Sequence, residues 1–234
     1  MNKKNKTSIW LNPVFRVAAA WLWFIIGAAF VILIILAVYR TSFSEAMSVL
    51  GNRKYLAIYI EIASAGLLPV LFTVFCRDDL ELYGIGRRGI LKSLILSGLF
   101  AALFFIVSLL TSGQLAIGQV QVYQIDFPWN IWYAVLGIFA YGPLEVFFFV
   151  WLVANTDRIF KSEKRILSWG LLITIVIFSL AHVLTTDIYN ALYTGALFII
   201  IGLIYKYTGN SIGPMIAWTL INGQVWNVAG MLWS

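Results

Sequence analysis

"VAAAWLWFIIGAAFVILIILAVY" (residues 17–39) runs for twenty-three residues without a charged side chain. An α-helix needs about 20 apolar residues to cross the hydrocarbon core of a bilayer. The apolar core of a secretory signal peptide is shorter, roughly 7–15 residues. The stretch therefore predicts an uncleaved transmembrane helix near the start of the chain.

The composition of the whole chain indicates that the other segments share this environment. Of the 234 residues, 62% are hydrophobic and 11% are charged, whereas soluble domains carry about 25% charged residues. The single cysteine, Cys76, excludes an internal disulfide, and the single histidine, His182, leaves a zinc site of His and Cys short of ligands. These counts favour an integral membrane protein over a soluble, disulfide-rich or zinc-binding domain.

Further apolar segments predict an all-α, polytopic transmembrane bundle that forms one membrane domain over residues 1–234. Backbone groups in lipid must bond internally, and no segment alternates as a barrel strand does, so the spans are helical. The stretch DFPWNIWY (126–133) either begins the fourth span or forms a separate interfacial helix, which gives about seven or eight spans. The spans are expected near residues 17–39, 55–76, 90–111, 130–155, 167–184, 188–206 and 211–232.

The basic residues predict the orientation of this bundle. Thirteen of the sixteen Lys and Arg residues fall on the side of the N-terminus, and three fall on the other side. Lys and Arg concentrate in cytoplasmic loops, so we expect a cytoplasmic N-terminus in the cell membrane. The net charge of +6 then reflects topology, and we expect no nucleic-acid partner.

A few polar side chains lie inside the predicted spans, where an ionisable group costs roughly 3 kcal/mol or more and usually faces a cavity or a partner. Glu61 is close enough to the end of its span to reach the outer interface. Glu145, His182 and Asn222 lie on three different spans at depths of roughly 16–25 Å from the cytoplasmic edge, at 1.5 Å per residue. Interhelical hydrogen bonds are one explanation, at under about 1 kcal/mol per pair. A functional cavity is favoured, because a carboxylate is an expensive way to obtain such a bond.

These three residue types suffice for hydrolysis of an amide without a covalent intermediate. A desolvated glutamate can act as a general base on water, histidine can share the proton, and an asparagine amide can donate to an oxyanion. The sequence contains no H-E-x-x-H motif, no G-x-S-G motif and no pair of intramembrane aspartates. Zinc, serine and aspartate intramembrane proteases are therefore disfavoured.

The order of these residues resembles the CAAX-protease and bacteriocin-processing family of intramembrane glutamate proteases, often abbreviated CPBP or Abi. PLEVFFFV (143–150) is similar to the family's Glu-Glu-x-x-x-Arg motif, with Glu145 at the first glutamate. FSLAH (178–182) matches Phe-x-x-x-His in full. YKYTGNSIGPMIAWTLIN (205–222) resembles the segment that leads into His-x-x-x-Asn, and it ends on the asparagine, Asn222.

The resemblance covers a core at about residues 130–225 and implies an endopeptidase with a cytosol-facing cavity in the membrane. In that mechanism Glu145 activates water, His182 shares the proton and Asn222 stabilises the oxyanion. The resemblance implies no obligatory metal or other cofactor. It implies the bilayer and a peptide or membrane-protein substrate, lipidated or not, as partners.

Three positions depart from the family motifs: Val146 replaces the second glutamate, Val150 the arginine and Trp218 the histidine of the third motif. Glu and Arg four residues apart on a helix can pair, so replacing both leaves no orphan charge and is often neutral for stability. An indole is a donor only. Trp218 can point its N–H at an oxyanion or fill the cavity, but it cannot act as a base.

A second function therefore stays open, that of a non-catalytic relative which binds a peptide, a lipid or a partner membrane protein, for example as an immunity or scaffold protein. Trp218 and Val146 favour it, whereas the retained Glu145, His182 and Asn222 favour the endopeptidase. An indole packed between Glu145 and Asn222 would support binding. A water-accessible gap would support hydrolysis.

Overall fold

The computed structural model describes residues 9–43, 45, 49–50, 56–113, 127–185, 187–222 and 225. All regular structure in this part of the chain is helical, and five of its helices are long and apolar enough to cross a membrane. The predicted all-α transmembrane bundle is confirmed. Its helices are α1 (Pro13–Tyr39), α2 (Ala57–Phe75), α3 (Ile90–Ser112), α4 (Trp129–Phe160), α5 (Trp169–Thr185), α6 (Ile188–Thr208) and α7 (Ile212–Ile221).

The bounds of α4 show whether the stretch at 126–133 belongs to this span or forms a separate helix. Residues 129–133 form the first turns of α4, which continues without interruption to Phe160, so they do not form a separate interfacial helix. The seventh span was expected over 211–232. Of this range α7 accounts for Ile212–Ile221, and most of the remainder lies outside the described residues.

Local chemistry fixes the ends of several helices. Asn12 caps α1 by accepting a hydrogen bond from the backbone N–H of Val14 over 2.9 Å, and Pro13 occupies the first helical position, where its missing N–H costs nothing. Asp187 caps α6 in the same way, and α6 stops at Gly209 with φ at 67°, a conformation that glycine adopts without strain. The sequence thus encodes where α1 begins and where α6 begins and ends.

Two helices carry a π turn, and these turns pack against each other. They comprise Ile62–Gly66 in α2 and Ala140–Leu144 in α4. A Cβ atom added at Gly66 would collide with the side chain of Leu144, so glycine is required for this close approach. Pro143 lies within the second turn and removes one backbone donor there. Because π turns redirect a helix, they set the direction in which the adjoining residues of α2 and α4 point.

Helix α4 lies at the centre of the bundle, in contact with α1, α5 and α7. Large apolar side chains of α1 and α3 are exposed on the outside of the bundle, as expected for surfaces that face lipid. The fully buried side chains along α4 include Val146, Phe148, Phe149, Val150, Trp151, Leu152 and Val153.

Buried charges tie the helices together at the end that carries most of the basic residues. Arg16 forms an ion pair with Asp78, and its guanidinium carbon lies 5.4 Å from the ring centre of Phe72 and 5.1 Å from that of Trp151. The hydroxyl of Tyr83 also donates to Asp78, over 2.5 Å. The pair therefore fixes the loop after α2 against the start of α1.

A second ion pair joins α4 to α6. The Nζ atom of Lys206 lies 2.6 Å from Oδ2 of Asp157. The other oxygen, Oδ1, accepts from Oγ of Ser162 over 2.7 Å and from the backbone N–H of Gly170 over 2.8 Å. One carboxylate thus organises the end of α4, the following loop and the start of α5.

Candidate active site

The structure brings together the three polar residues that the sequence placed on separate spans. Glu145 begins the α-helical part of α4 directly after its π turn, His182 lies near the end of α5, and Asn222 follows α7. His182 Nε2 lies 3.9 Å from Oε1 of Glu145, and Asn222 Nδ2 lies 3.4 Å from Oε2. Similar depth along three helices therefore does correspond to spatial proximity.

The tautomer of His182 follows from its second contact. Its Nδ1 lies 2.9 Å from the backbone carbonyl oxygen of Phe178, one turn earlier in α5. A carbonyl only accepts, so Nδ1 carries the proton and Nε2 presents its lone pair toward Glu145 in the neutral ring. The ring orientation is thus set by the phenylalanine that precedes it in the F-x-x-x-H pattern.

His182 and Glu145 lie at a distance that a single bridging water can span. A separation of 3.9 Å between Nε2 and Oε1 is too long for a direct hydrogen bond. A water oxygen placed about 2.8 Å from each atom spans it. Exposure is 23% for the His182 side chain and 7% for the Glu145 side chain, so the histidine forms the open edge of the site.

Trp218 contacts the carboxylate on its other oxygen. The indole Nε1 donates to Oε2 of Glu145 over 2.7 Å, and the ring packs edge to face on Phe198 with centroids 4.7 Å apart. Asn222 donates to the same Oε2, so both candidate oxyanion donors point at the carboxylate in this state. The structure therefore shows the feature that was expected to support binding, an indole packed on Oε2.

Asn222 also holds the end of α7 in place. Its Nδ2 donates to the backbone carbonyl of Tyr141 over 3.0 Å, within the π turn of α4, and its own backbone N–H bonds to the carbonyl of Trp218 over 2.8 Å. The amide consequently links α7 to the segment that immediately precedes Glu145. Trp218 and Asn222 lie four residues apart, on the same face of the helix.

Val146 and Val150, which replace the glutamate and arginine of the first motif, are both fully buried in the aromatic core around α4. Both valine side chains are surrounded by apolar residues of this core. Apolar packing thus stands where the motif of the resembled family carries a charged pair.

Glu61 corrects an expectation from the sequence. It was expected at the outer interface, but it is only partly exposed and lies within electrostatic range of Glu145. Glu61 directly precedes the π turn of α2, and that turn packs on the π turn that directly precedes Glu145. A second carboxylate, on a different helix, therefore lies within electrostatic range of Glu145.

The two carboxylate oxygens of Glu145 have different surroundings. Oε2 accepts N–H bonds from Trp218 and Asn222, and Oε1 faces an imidazole nitrogen 3.9 Å away. Among the residues that the structure describes, no three His, Cys, Asp or Glu side chains are grouped closely enough to hold a metal ion.

Residues 126–224 match a family model described as Rce1-like: Type II CAAX prenyl endopeptidase Rce1-like. The matched segment contains α4, α5, α6 and α7, and with them Glu145, His182, Trp218 and Asn222. The match confirms the resemblance drawn from the motifs. No curated protein and no solved structure is significantly similar to the chain.

Proposed function

We propose that the chain, whose residues 126–224 match the Rce1-like family model, is an intramembrane endopeptidase that uses water activated by Glu145. The observation that carries the proposal is the gap of 3.9 Å between Oε1 of Glu145 and Nε2 of His182. A carboxylate oxygen and an imidazole lone pair that face one another across this distance can together orient a single water. The motif positions, the burial and the tautomer of His182 all support this assignment.

The reaction begins with a water that donates one hydrogen bond to Oε1 of Glu145 and the other to Nε2 of His182. Its oxygen attacks the carbonyl carbon of the scissile peptide bond while Oε1 takes the proton. The carbonyl oxygen becomes the oxyanion of a tetrahedral intermediate. The proton held on Glu145 then passes to the amine nitrogen as the carbon–nitrogen bond breaks. The second proton of the water leaves the new carboxyl group through His182 to solvent, so that both residues return to their starting states.

Trp218 and Asn222 have different roles in this proposal. The Trp218 bond to Oε2 is short, at 2.7 Å, and fixes the carboxylate so that Oε1 faces the water; Trp218 is therefore a positioning residue. The Asn222 contact is longer, at 3.4 Å. Once Glu145 is protonated and neutral, the N–H that points at Oε2 can donate to the oxyanion while the other N–H stays on Tyr141, and one such donor is worth about 10²–10³ in rate.

The substrate is a peptide or membrane-protein segment that reaches the site from the bilayer. The concentration of basic residues at one end of the bundle supports a cytoplasmic N-terminus, and we propose the cell membrane as the location. This orientation makes cytosolic segments close to the membrane the accessible class of substrate.

The test is cleavage of quenched peptides, with and without a prenyl group, by the full chain in liposomes. Glu145→Gln and His182→Ala should each reduce the rate by at least about 10². Glu163→Gln is the matched control, since Glu163 is exposed in the loop after α4 and its side chain takes no part in the site. Cleavage by both site variants at the wild-type rate would refute the assignment.

The non-catalytic binding protein remains the second candidate, favoured by the Trp218–Glu145 hydrogen bond. An indole that satisfies the carboxylate and fills the space beside Phe198 stabilises the site without any reaction. In the same assay, a wild-type protein that is folded and inactive, yet binds the peptides with a change in tryptophan fluorescence, would support this function.

A further inference from the structure

A basic cavity lies away from the candidate active site, where the loop before α3 meets the end of α6. Its volume is about 580 Å³. The three cationic side chains Arg87, Arg88 and Lys92 contribute to its wall together with Tyr207 and Thr208. Nothing in the proposed peptidase chemistry uses this cavity.

The position of the cavity along the helices places it at the level of lipid headgroups. It lies between the first turn of α3 and the last turn of α6, two spans whose apolar segments begin and end there. Leu91 and Tyr207 at its rim are 69% and 63% exposed. Exposed tyrosine at a span end is typical of the membrane interface.

The loop that carries the cations is braced rather than loosely attached. Asn210 Nδ2 donates to the carbonyls of Gly86 and Arg88 over 2.8 and 3.1 Å. The backbone N–H of Ser211 donates to the carbonyl of Gly84 over 2.9 Å. At Gly89, φ is 68° and a Cβ atom would collide with the carbonyl oxygen of Thr208. The backbone that carries the cations is therefore preorganised, which lowers the cost of binding.

The three cations have no carboxylate partner within the described part of the chain. The ion pairs found there belong to Arg16, Lys206 and His182. Arg87, Arg88 and Lys92 are exposed, and the nearest acidic residue along the chain, Glu81, is not within ion-pair distance of them. A net positive charge therefore faces the cavity.

We propose that this cavity binds the headgroup phosphate of an anionic phospholipid. Guanidinium groups match phosphate oxygens in a forked geometry, and two of them with a lysine complement the charge of an anionic headgroup. The apolar rim formed by Leu91 and the ring of Tyr207 suits the glycerol and acyl portion of the lipid. Topology alone calls for basic residues on this side of the membrane, but it does not call for a braced loop around a cavity.

The experiment measures retention of phosphatidylglycerol against phosphatidylcholine by the purified full chain, using native mass spectrometry from mixed-lipid nanodiscs. The variant is Arg87→Gln, Arg88→Gln and Lys92→Gln combined. The matched control is Lys161→Gln, Lys164→Gln and Arg165→Gln combined, which removes the same charge from exposed positions outside the cavity.

We expect the wild type to retain phosphatidylglycerol in preference to phosphatidylcholine. The ratio of the two retained lipids should fall by at least about tenfold in the cavity variant and by less than about twofold in the control. Arg88→Lys, which keeps the charge but loses the fork, should give an intermediate loss and guards against misfolding of the triple variant. Equal loss in variant and control, or no preference in the wild type, would overturn the proposal. So would inorganic phosphate displacing the lipid at equal concentration, because the site would then be one for free phosphate.

Discussion

Trp218 donates its indole N–H to Oε2 of Glu145 across 2.7 Å, although the two residues lie 73 positions apart in the chain. This bond joins α7 to α4 at the point where the π turn ends. It also decides which carboxylate oxygen faces His182. A tryptophan in place of the motif histidine is thus part of the geometry of the site.

Trp218→His should raise peptide hydrolysis by about 10²–10³, because an imidazole can donate to the oxyanion and is smaller than an indole. The measurement is the rate of quenched-peptide cleavage in liposomes. The gain should vanish in Trp218→His with Glu145→Gln. Trp218→Phe keeps a ring but loses the N–H, and we expect it to fall below wild type; an unchanged rate would show that the bond to Oε2 does not position the carboxylate.

Asn222→Ala should lower kcat by about 10²–10³ with little change in KM, because an oxyanion donor acts only in the transition state. Steady-state kinetics on the same peptide separate the two constants. Asn190→Ala provides the control, since Asn190 is exposed on α6. If Asn222→Ala raised KM and left kcat unchanged, the amide would be a substrate-binding group instead.

Glu61→Gln should stabilise the protein by about 1 kcal/mol at alkaline pH, because a neutral amide removes the repulsion between two carboxylates inside the bundle. Thermal unfolding in detergent measures the change. The gain should shrink when the same substitution is made in Glu145→Gln. Equal gains in the two backgrounds would mean that Glu61 and Glu145 do not interact.

Tyr83 predicts a pH dependence outside the membrane-spanning helices. Burial, with the hydrogen bond to Asp78, raises the pKa of Tyr83 from 10.0 to about 12. Since the unfolded chain releases this proton first, the contribution to stability is complete below pH 10 and is lost between pH 10 and about 12. Over this pH range we expect the free energy of unfolding of Tyr83→Phe to fall by about 2 kcal/mol less than that of the wild type. Unfolding followed across this range would contradict the prediction if both proteins lost stability equally.

Counting residues along each span predicted that Glu145, His182 and Asn222 lie at similar depth, because the rise per residue of a helix converts sequence position into depth. The structure places them close together. Counting cannot tell which face of a helix a residue occupies. The contact of Trp218 with Oε2 depends on that face, so the sequence left its role open between oxyanion donor and cavity filler.

Glu61 was missed for a related reason. Depth counting treats each span as a regular helix that starts at the interface, whereas π turns displace the residues beside them in both α2 and α4. The packing of Gly66 on Leu144 brings these two helices close at the turns that directly follow Glu61 and directly precede Glu145. A glycine and a proline near the two glutamates are visible in the sequence, but the pairing of the two turns is not.

The length of α4 makes the bilayer itself a determinant of the site. At 32 residues it extends about 48 Å at 1.5 Å per residue, against a hydrocarbon core of about 30 Å. Such hydrophobic mismatch is accommodated by tilt or by local thickening of the membrane. A tilt of α4 carries Glu145 with it, whereas His182 belongs to the shorter α5. We therefore expect membrane thickness to influence the separation between Oε1 of Glu145 and Nε2 of His182.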